Sequence, residues 1–340
     1  MVRALVTGST GFLGSTLVSA LNERGIEVLG LRRDTSPDDA VAGLKLIPVI
    51  GDILNPASLP TAMEGVDWVF HVAAVSDHRH TPADVIYKVN IEGARNVFEA
   101  AKQAGVKRVV FTSSSAGLGI PSRDKPLMDE TNQFNMKPEE FPYGYSKHRA
   151  EEIMADYVDQ GVDIVSVLPA AVMGPRDLKF ISGELIVQAL KGIVLAIPKG
   201  GLNYIDVRDC VQGHIAAAEK GGCGERYLLS GQNMTHRESM KILYQVLGTR
   251  IPPFDIPAWS LGSVANAVGI LRSIGLNLPI NKEAVLLGGQ YLYYDNRKAV
   301  GELGLETRQF AESVRDAYRW YAENDYLKKR GLRPATRSVQ

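Results

Sequence analysis

An α/β fold, a doubly wound parallel sheet with a smaller C-terminal lid, is predicted by three observations. Short apolar runs alternate with segments of helical period through the first half of the chain. A glycine-rich turn, "TGSTGFLG" from Thr7 to Gly14, joins the first run to the first helical segment. Beyond Pro175 the alternation loosens, as in a lid assembled from separate pieces. With 340 residues, 45% hydrophobic and 22% charged, the chain can bury one large core or two that share a cleft.

The elements follow in order. "RALVTG" is the first strand, and "FLGSTLVSALNERG" carries apolar residues at helical spacing until Gly25 stops it. "IEVLGL", "LKLIPVIGD", "VDWVFHVAA" and "KRVVFTSSS" are four further strands, with "IYKVNIEGARNVFEAAKQAG" as the helix between the last two. Right-handed crossovers between parallel strands gather their loops on one edge of the sheet. "YGYSKHRAEEIMADYVDQ", Tyr143 to Gln160, is a long helix, and "VDIVSVLPAAVMGP" one more strand ending in Gly174-Pro175. "SGELIVQALKGI", "DCVQGHIAAAEKG" and "THRESMKILYQVLG" are helices separated by short strands such as "RYLLSG". "RQFAESVRDAYRWYAENDYLKKRG" is a C-terminal helix, and the basic end after Leu327 reads as a solvated tail.

Lysine plus arginine equal aspartate plus glutamate at 38 each, so no general electrostatic attraction to nucleic acid or an anionic membrane is expected. No apolar run has the length of a membrane span, and "VANAVGILRSIGLNLPI" is interrupted by Arg272. The first strand starts at once, which leaves no room for a leader, so the cytoplasm is the expected location. Cys210 and Cys223 make no disulfide framework or zinc spacing and are expected as buried or semi-buried thiols.

Gly8, Gly11 and Gly14 lie in a strand-to-helix turn, where missing side chains permit a tight bend and the close approach of a pyrophosphate. Thr7, Thr10, Phe12 and Leu13 belong to the same loop. The second strand ends "LGLRRD", where an NAD site usually offers an acid to the ribose diol. Arg32 and Arg33 instead favour the 2'-phosphate of NADP(H), and Asp34 keeps NAD(H) as an alternative. Asp52, in "GDIL", either accepts from an adenine amino group or caps a turn.

Tyr143 and Lys147 stand four apart at the start of a helix and share a face. A nearby ammonium stabilises a phenolate, so Lys147 is expected to lower the Tyr143 pKa and ready it for proton transfer to a carbonyl oxygen. Ser114, at the end of the fifth strand, can hydrogen-bond the same oxygen.

With these motifs in hand, the sequence resembles the extended short-chain dehydrogenase/reductase family, also described as the NAD-dependent epimerase/dehydratase family, over nearly its whole length. The glycine motif matches "TGSTGFLG", the Tyr-x-x-x-Lys motif "YGYSK", and the active-site serine Ser114 in "FTSSSAGLG". "HVAA" and "YIDVRD" also match family usage. The resemblance implies a Rossmann-type sheet with a substrate-binding lid, and Ser114, Tyr143 and Lys147 as catalytic residues. It implies cofactor contacts from Thr7, Gly8, Thr10, Gly11, Phe12, Leu13, Gly14, Arg32, Asp52, Ile53, Val72, Ala73, Ala74, Asn90, Pro169 and Val172, besides Tyr143 and Lys147. It also implies a homodimer through the helices at 91–104 and 147–158. Residues 1–175 are then the dinucleotide-binding domain, 176–330 mainly the lid with segments returning to the sheet, and 331–340 a tail.

Many nucleotide-sugar members carry "RYFNVYGP" before the lid, whose asparagine helps hold the sugar nucleotide. This chain has "SVLPAAVMGP", with Ala171 at that place and an added Pro169. The departure resembles the branch of dihydroflavonol and cinnamoyl-CoA-type reductases, which implies an NADP(H)-dependent reductase of a small aldehyde or ketone, or a dehydrogenase of the matching alcohol. A nucleotide-sugar epimerase or dehydratase using transient hydride transfer to bound NAD(P) is the alternative, and a non-catalytic NAD(P)-binding regulator a third. "TSSSAG" offers no carboxylate pair of the kind a dehydratase wants. Ser76, His78, Arg79, His80 and Ser115 are candidate substrate contacts, although "DHRH" reads equally as a solvent-facing loop. His78 and His80 alone make no metal site. His71 is expected to be structural or cofactor-facing, and His148 to point away from Lys147. "PPFDIPAWSLGSVANAVGILRSIGL" is short of charges and reads as an apolar pocket or as lid core.

Overall fold

The structure, a computed structural model, describes residues 2–76, 81–194, 196–252, 254–276 and 282–332. The described strands are numbered β1 to β14 in chain order. Seven of them, β1 (Arg3–Thr7), β2 (Glu27–Arg32), β3 (Ile47–Ile50), β4 (Trp68–His71), β5 (Arg108–Thr112), β7 (Ile164–Pro169) and β11 (Arg226–Leu229), form one sheet. Its order is β11-β7-β5-β4-β1-β2-β3 and every pairing is parallel.

The apolar runs are buried on both sides because successive side chains of a strand point to opposite faces. In β1, Ala4 and Val6 join the core under the helices Phe12–Glu23 and Val207–Lys220. Leu5 joins the core under the helices Gly93–Ala104 and Pro142–Asp159. Phe98 and Leu17, fully buried on opposite sides, each contribute about 2 kcal/mol from apolar area alone. The order reverses between β1 and β4, and a crevice opens beyond the strand ends at such a switch point.

"VDIVSVLPAAVMGP" is not one strand. It divides at Ala170 into β7 and β8 (Ala171–Met173), and β8 pairs with β10 (Gly201–Asp206). Pro169 has no N–H to continue a ladder, and Ala170 gives its amide to the Leu229 carbonyl at 3.0 Å before the chain turns away. The second sheet runs β12 (Gln232–Thr235), β10, β14 (Tyr291–Tyr294), β6 (Leu127–Met128), with β8 beside β10. A pair of short strands, β9 (Ala196–Pro198) and β13 (Phe254–Ile256), lies apart. Phe180, Tyr204, Leu243, Val314 and Tyr321 anchor a separate core in the second half of the chain, and "RYLLSG" returns to the large sheet as β11.

The C-terminal helix is also divided. It runs Phe310–Glu323, stops at Asp325, whose φ is 60°, and resumes as Tyr326–Lys329. The basic end after Leu327 is no simple solvated tail: Leu327 is fully buried, and the Arg330 guanidinium lies 4.5 Å from the Phe180 ring centre. Residues 333–340 lie outside the described residues. Cys210 is buried as expected, but Cys223 is exposed. Among the described residues no helix is long and apolar enough to cross a membrane, and no three potential metal ligands cluster.

Candidate active site

The glycine loop is built by exclusion. A Cβ at Gly14 would lie 2.1 Å from the Gly8 carbonyl oxygen, and one at Gly8, where φ is 70°, would lie 2.8 Å from Ala73 Cα. Gly11 caps the helix Phe12–Glu23 and has no side chain to accept from its first-turn amides. Those donors at a positive helix end fit a dinucleotide pyrophosphate.

Thr7, expected against the cofactor, has its side chain fully buried behind it. Its Oγ1 accepts from the amides of Val72 and Ala73, both at 3.1 Å, and lies 2.9 Å from His71 Nδ1. With both lone pairs used, the hydroxyl donates to Nδ1 and the imidazole proton sits on Nε2. Burial takes the His71 pKa down to about 3, helped by the charge of Lys147, so the ring is neutral and structural.

At the ribose end, Arg32 is already engaged. It forms an ion pair with Asp38 and donates from Nη2 to the Ser36 carbonyl at 3.0 Å, while Arg33 is exposed. Asp52 Oδ1 accepts from the Leu54 amide at 2.9 Å, which is the turn-capping geometry of its two readings, and Ile53 is buried beside it. Val72, Ala73, Ala74 and Val172 are half-buried, and Pro169 is buried at the end of β7.

Ser114, Tyr143 and Lys147 meet beyond β5. Ser114 caps the short turn Ser115–Leu118, accepts from the Ala116 amide at 3.2 Å and hydrogen-bonds the Tyr143 phenol. Gly144 makes that approach possible, since a Cβ there would lie 2.7 Å from the Ala116 carbonyl oxygen. One turn on, Lys147 is buried and donates from Nζ to the Thr112 carbonyl at 2.8 Å. Burial lowers its pKa to about 8, with Glu151 pulling the other way. The expected lowering of Tyr143 is overturned: burial pushes the phenol up, and the opposing influence is the Ser114 hydrogen bond rather than Lys147.

Asn90 does not present its amide to the crevice. It sits buried in a π-turn, Lys88–Glu92, where Oδ1 accepts from the Val75 amide at 2.8 Å. Its Nδ2 donates to the Val75 carbonyl at 3.2 Å and to Ser146 Oγ at 3.0 Å. Ser146 in turn donates to the Tyr143 carbonyl at 2.7 Å, so this clip fixes the segment after β4 to the start of the Tyr143 helix. Sequence reading missed Ser146 and Thr112; Ser146 was visible as the polar residue inside "YGYSK", but the Thr112 carbonyl carries no sequence signal.

Ser115 is buried and bonds Tyr294 of β14, whose phenol burial pushes up to about 12. Ser76 is exposed, and His78, Arg79 and His80 lie outside the described residues. His148 points away from Lys147, stacking on Phe134 at 5.8 Å and facing Glu152 at 3.5 Å. "YIDVRD" is structural: Asp206 caps the helix Val207–Lys220, Arg208 joins it to Asp316, and Asp209 pairs with Arg308. In the charge-poor segment after Pro252, Leu261, Ala265 and Val268 form a small core, while Trp259, Ile270 and Ile274 are exposed.

Residues 4–230 match the model of the NAD dependent epimerase/dehydratase family. A Synechocystis sp. protein provisionally named dihydroflavonol 4-reductase is 34% identical over 329 residues, which cover 95% of each chain. Sterol demethylase protein B of Methylococcus capsulatus is 31% identical over 333 residues, 96% of this chain and 100% of that one. Among solved structures, the crystal structure of gox2253 is similar at a TM-score of 0.83 and 32% identity, covering 95% of this chain and 98% of that one.

Proposed function

The chain belongs to the NAD dependent epimerase/dehydratase family, the extended short-chain dehydrogenases/reductases, and from that premise we propose that it is an NADP(H)-dependent reductase of an aldehyde or ketone. Membership makes it an NAD(P)-dependent oxidoreductase with a Rossmann-type sheet. The observation that carries the finer reading is the Ser114–Tyr143 hydrogen bond beside a buried Lys147, at the crevice the glycine loop opens into.

In this reading residues 1–175 hold the dinucleotide, with Gly8, Gly11 and Gly14 around its pyrophosphate and Val72 to Ala74 as a wall. The lid, mainly residues 176–330, covers the substrate. Bound nicotinamide supplies the hydride. Tyr143, kept as a phenol by burial, donates its proton to the carbonyl oxygen, and Ser114 donates a hydrogen bond to the same oxygen. Lys147, an ammonium one helical turn from the phenol, in this reading holds the nicotinamide ribose, and the Ser114 hydroxyl stabilises the phenolate left behind. Ala171, where nucleotide-sugar enzymes carry an amide, supports a small carbonyl substrate over a sugar nucleotide. The reading includes a homodimer across the helices Gly93–Ala104 and Pro142–Asp159; their outer faces carry Arg95, Lys102, Arg149, Glu152 and Asp156, so that contact would be polar.

The test is NADPH oxidation followed at 340 nm over a panel of aldehydes and ketones, with Tyr143→Phe as the control. Turnover on one carbonyl class that falls about a thousandfold in the variant, with cofactor affinity retained, supports the proposal. Full turnover in Tyr143→Phe would refute the proton-transfer role. Tight cofactor binding without net oxidation by any carbonyl would move the reading to an epimerase that returns its hydride.

A further inference from the structure

We propose that the cation recognising the adenosine 2'-phosphate comes from the lid, from Lys179 and Lys329, rather than from Arg32. This rests on the NADP(H) reading above. A cleft of about 270 Å³ lies against the glycine loop, lined by Thr10, Gly11 and Phe12 on one side and by Pro37, Asp39 and Ala40 of the segment after β2 on another. Its far wall is lid: Leu178, Lys179, Tyr326 and Lys329. The cleft therefore spans the space between the first-turn amides and the segment that follows β2, on the side of the glycine loop to which the ribose phosphate of a bound dinucleotide would extend. Its charged lining residues are two lysines and one aspartate, Asp39, for a net positive charge. Arg32, the sequence's candidate for this phosphate, is held by Asp38 and the Ser36 carbonyl.

The two lysines, 150 positions apart, share one rigid frame. Phe180 stacks on Tyr321 at 4.5 Å, the Tyr321 hydroxyl donates to the Asp177 carbonyl at 2.9 Å, and Arg330 covers the Phe180 ring and faces Glu184 at 3.8 Å. Among the described residues, those other than glycine with a positive φ are Arg176 at 76°, Phe180 at 54° and Asp325 at 60°, and all three belong to this frame. Left-handed backbone at non-glycine residues is costly and gathers where a structure must aim something. The frame reaches the dinucleotide side through Arg176, whose Nη2 donates to the Ala40 carbonyl at 2.6 Å. The Arg176 Nε is buried with no hydrogen-bond partner among the described residues. Lys329 lies 4.2 Å from the Tyr326 ring centre, which restrains its ammonium at the cleft.

The experiment is isothermal titration of the full chain with NADPH, NADH and adenosine 2',5'-bisphosphate, for wild type, Lys179→Gln, Lys329→Gln, the double variant and Arg32→Gln. Thermal unfolding checks that each variant folds. The expected result is a loss of about tenfold per lysine for NADPH and the bisphosphate, with NADH unchanged. A double variant that keeps its NADPH preference while Arg32→Gln loses it overturns the lid assignment and leaves the NADP(H) reading standing. Equal losses for NADPH and NADH also overturn it, because the lysines would then serve the pyrophosphate. A wild type that binds NADH as tightly as NADPH defeats the NADP(H) reading itself, and the lid assignment with it.

Discussion

At the scale of single residues, the site depends on side chains that never face the crevice. Thr7 holds the amides of Val72 and Ala73 and the Nδ1 of His71 from one buried hydroxyl. Thr7→Val keeps the shape and strands two amides and an imidazole nitrogen, so it should cost about 3 kcal/mol in urea denaturation and weaken dinucleotide binding in parallel. An unchanged denaturation midpoint would show that water or a backbone shift replaces the hydroxyl. Lys147 gives a second test. Its pKa of about 8 puts the loss of the ammonium inside the working range, while Tyr143, raised above the ordinary 10.0, stays protonated across it. The ammonium is present below that value and lost as pH rises through it, so carbonyl reduction with saturating cofactor should decline above pH of about 8. In Lys147→Met that limb should vanish from a uniformly slow profile; a limb that persists belongs to another group.

At the scale of elements, the glycine loop is the feature most sensitive to one methyl group. Gly14→Ala sets a Cβ against the Gly8 carbonyl, backbone to backbone, where no side chain can give way. The turn between β1 and its helix must open, at a cost of about 3 kcal/mol, and dinucleotide binding should be lost well before the fold, as a titration of the folded variant would show. This turn was legible because strand, glycines and helix are adjacent in sequence, as was the Tyr143–Lys147 pair within one helix. The break between β7 and β8 was not, because apolar residues continue through Ala170 and only the pairing partner changes. The stop at Asp325 sits inside an unbroken helical pattern and shows only in its φ of 60°. Asn90, a cofactor contact by resemblance, has its side-chain amide engaged by Val75 and Ser146. A π-turn shifts the helical register, so periodicity could not tell which way its amide points. The Arg32–Asp38 pair illustrates the same limit, since sequence shows the charge at a strand end but not the partner that occupies it.

At the scale of the whole molecule, the functional edge of the sheet is held by two buried histidines. His71 bonds Thr7 at the end of β1, and His214 bonds Thr112 at the end of β5 through Nε2 at 3.0 Å while its Nδ1 lies 2.8 Å from the Cys210 carbonyl. Burial lowers the first to about 3 and the second to about 4, from 6.5. His236 is lowered by the same cause. A folded-state pKa below the unfolded one means that the unfolded chain binds the extra protons, so stability is full above pH 6.5 and falls as pH drops toward the folded values. At pH 4.5, two units below the unfolded histidine value, His71 and His214 together remove roughly 5 kcal/mol, comparable with the whole stability of many domains. Asp209 and Glu130, both raised by burial, act with the opposite sign. Urea midpoints measured between pH 7.5 and 4.5 should therefore fall steeply below pH 6.5, and His214→Gln should flatten part of the slope by removing one proton uptake. A midpoint that stays level down to pH 5 would mean that these imidazoles titrate in the folded chain. Since Thr7 also holds the Val72–Ala73 wall and His71 stays neutral in the folded chain until pH nears 3, dinucleotide affinity of the still-folded protein should hold level through this window, so that acid reaches the crevice at the β1–β4 switch point only by unfolding the chain; an affinity that declines ahead of the urea midpoint would mean that His71 takes up its proton in the folded state.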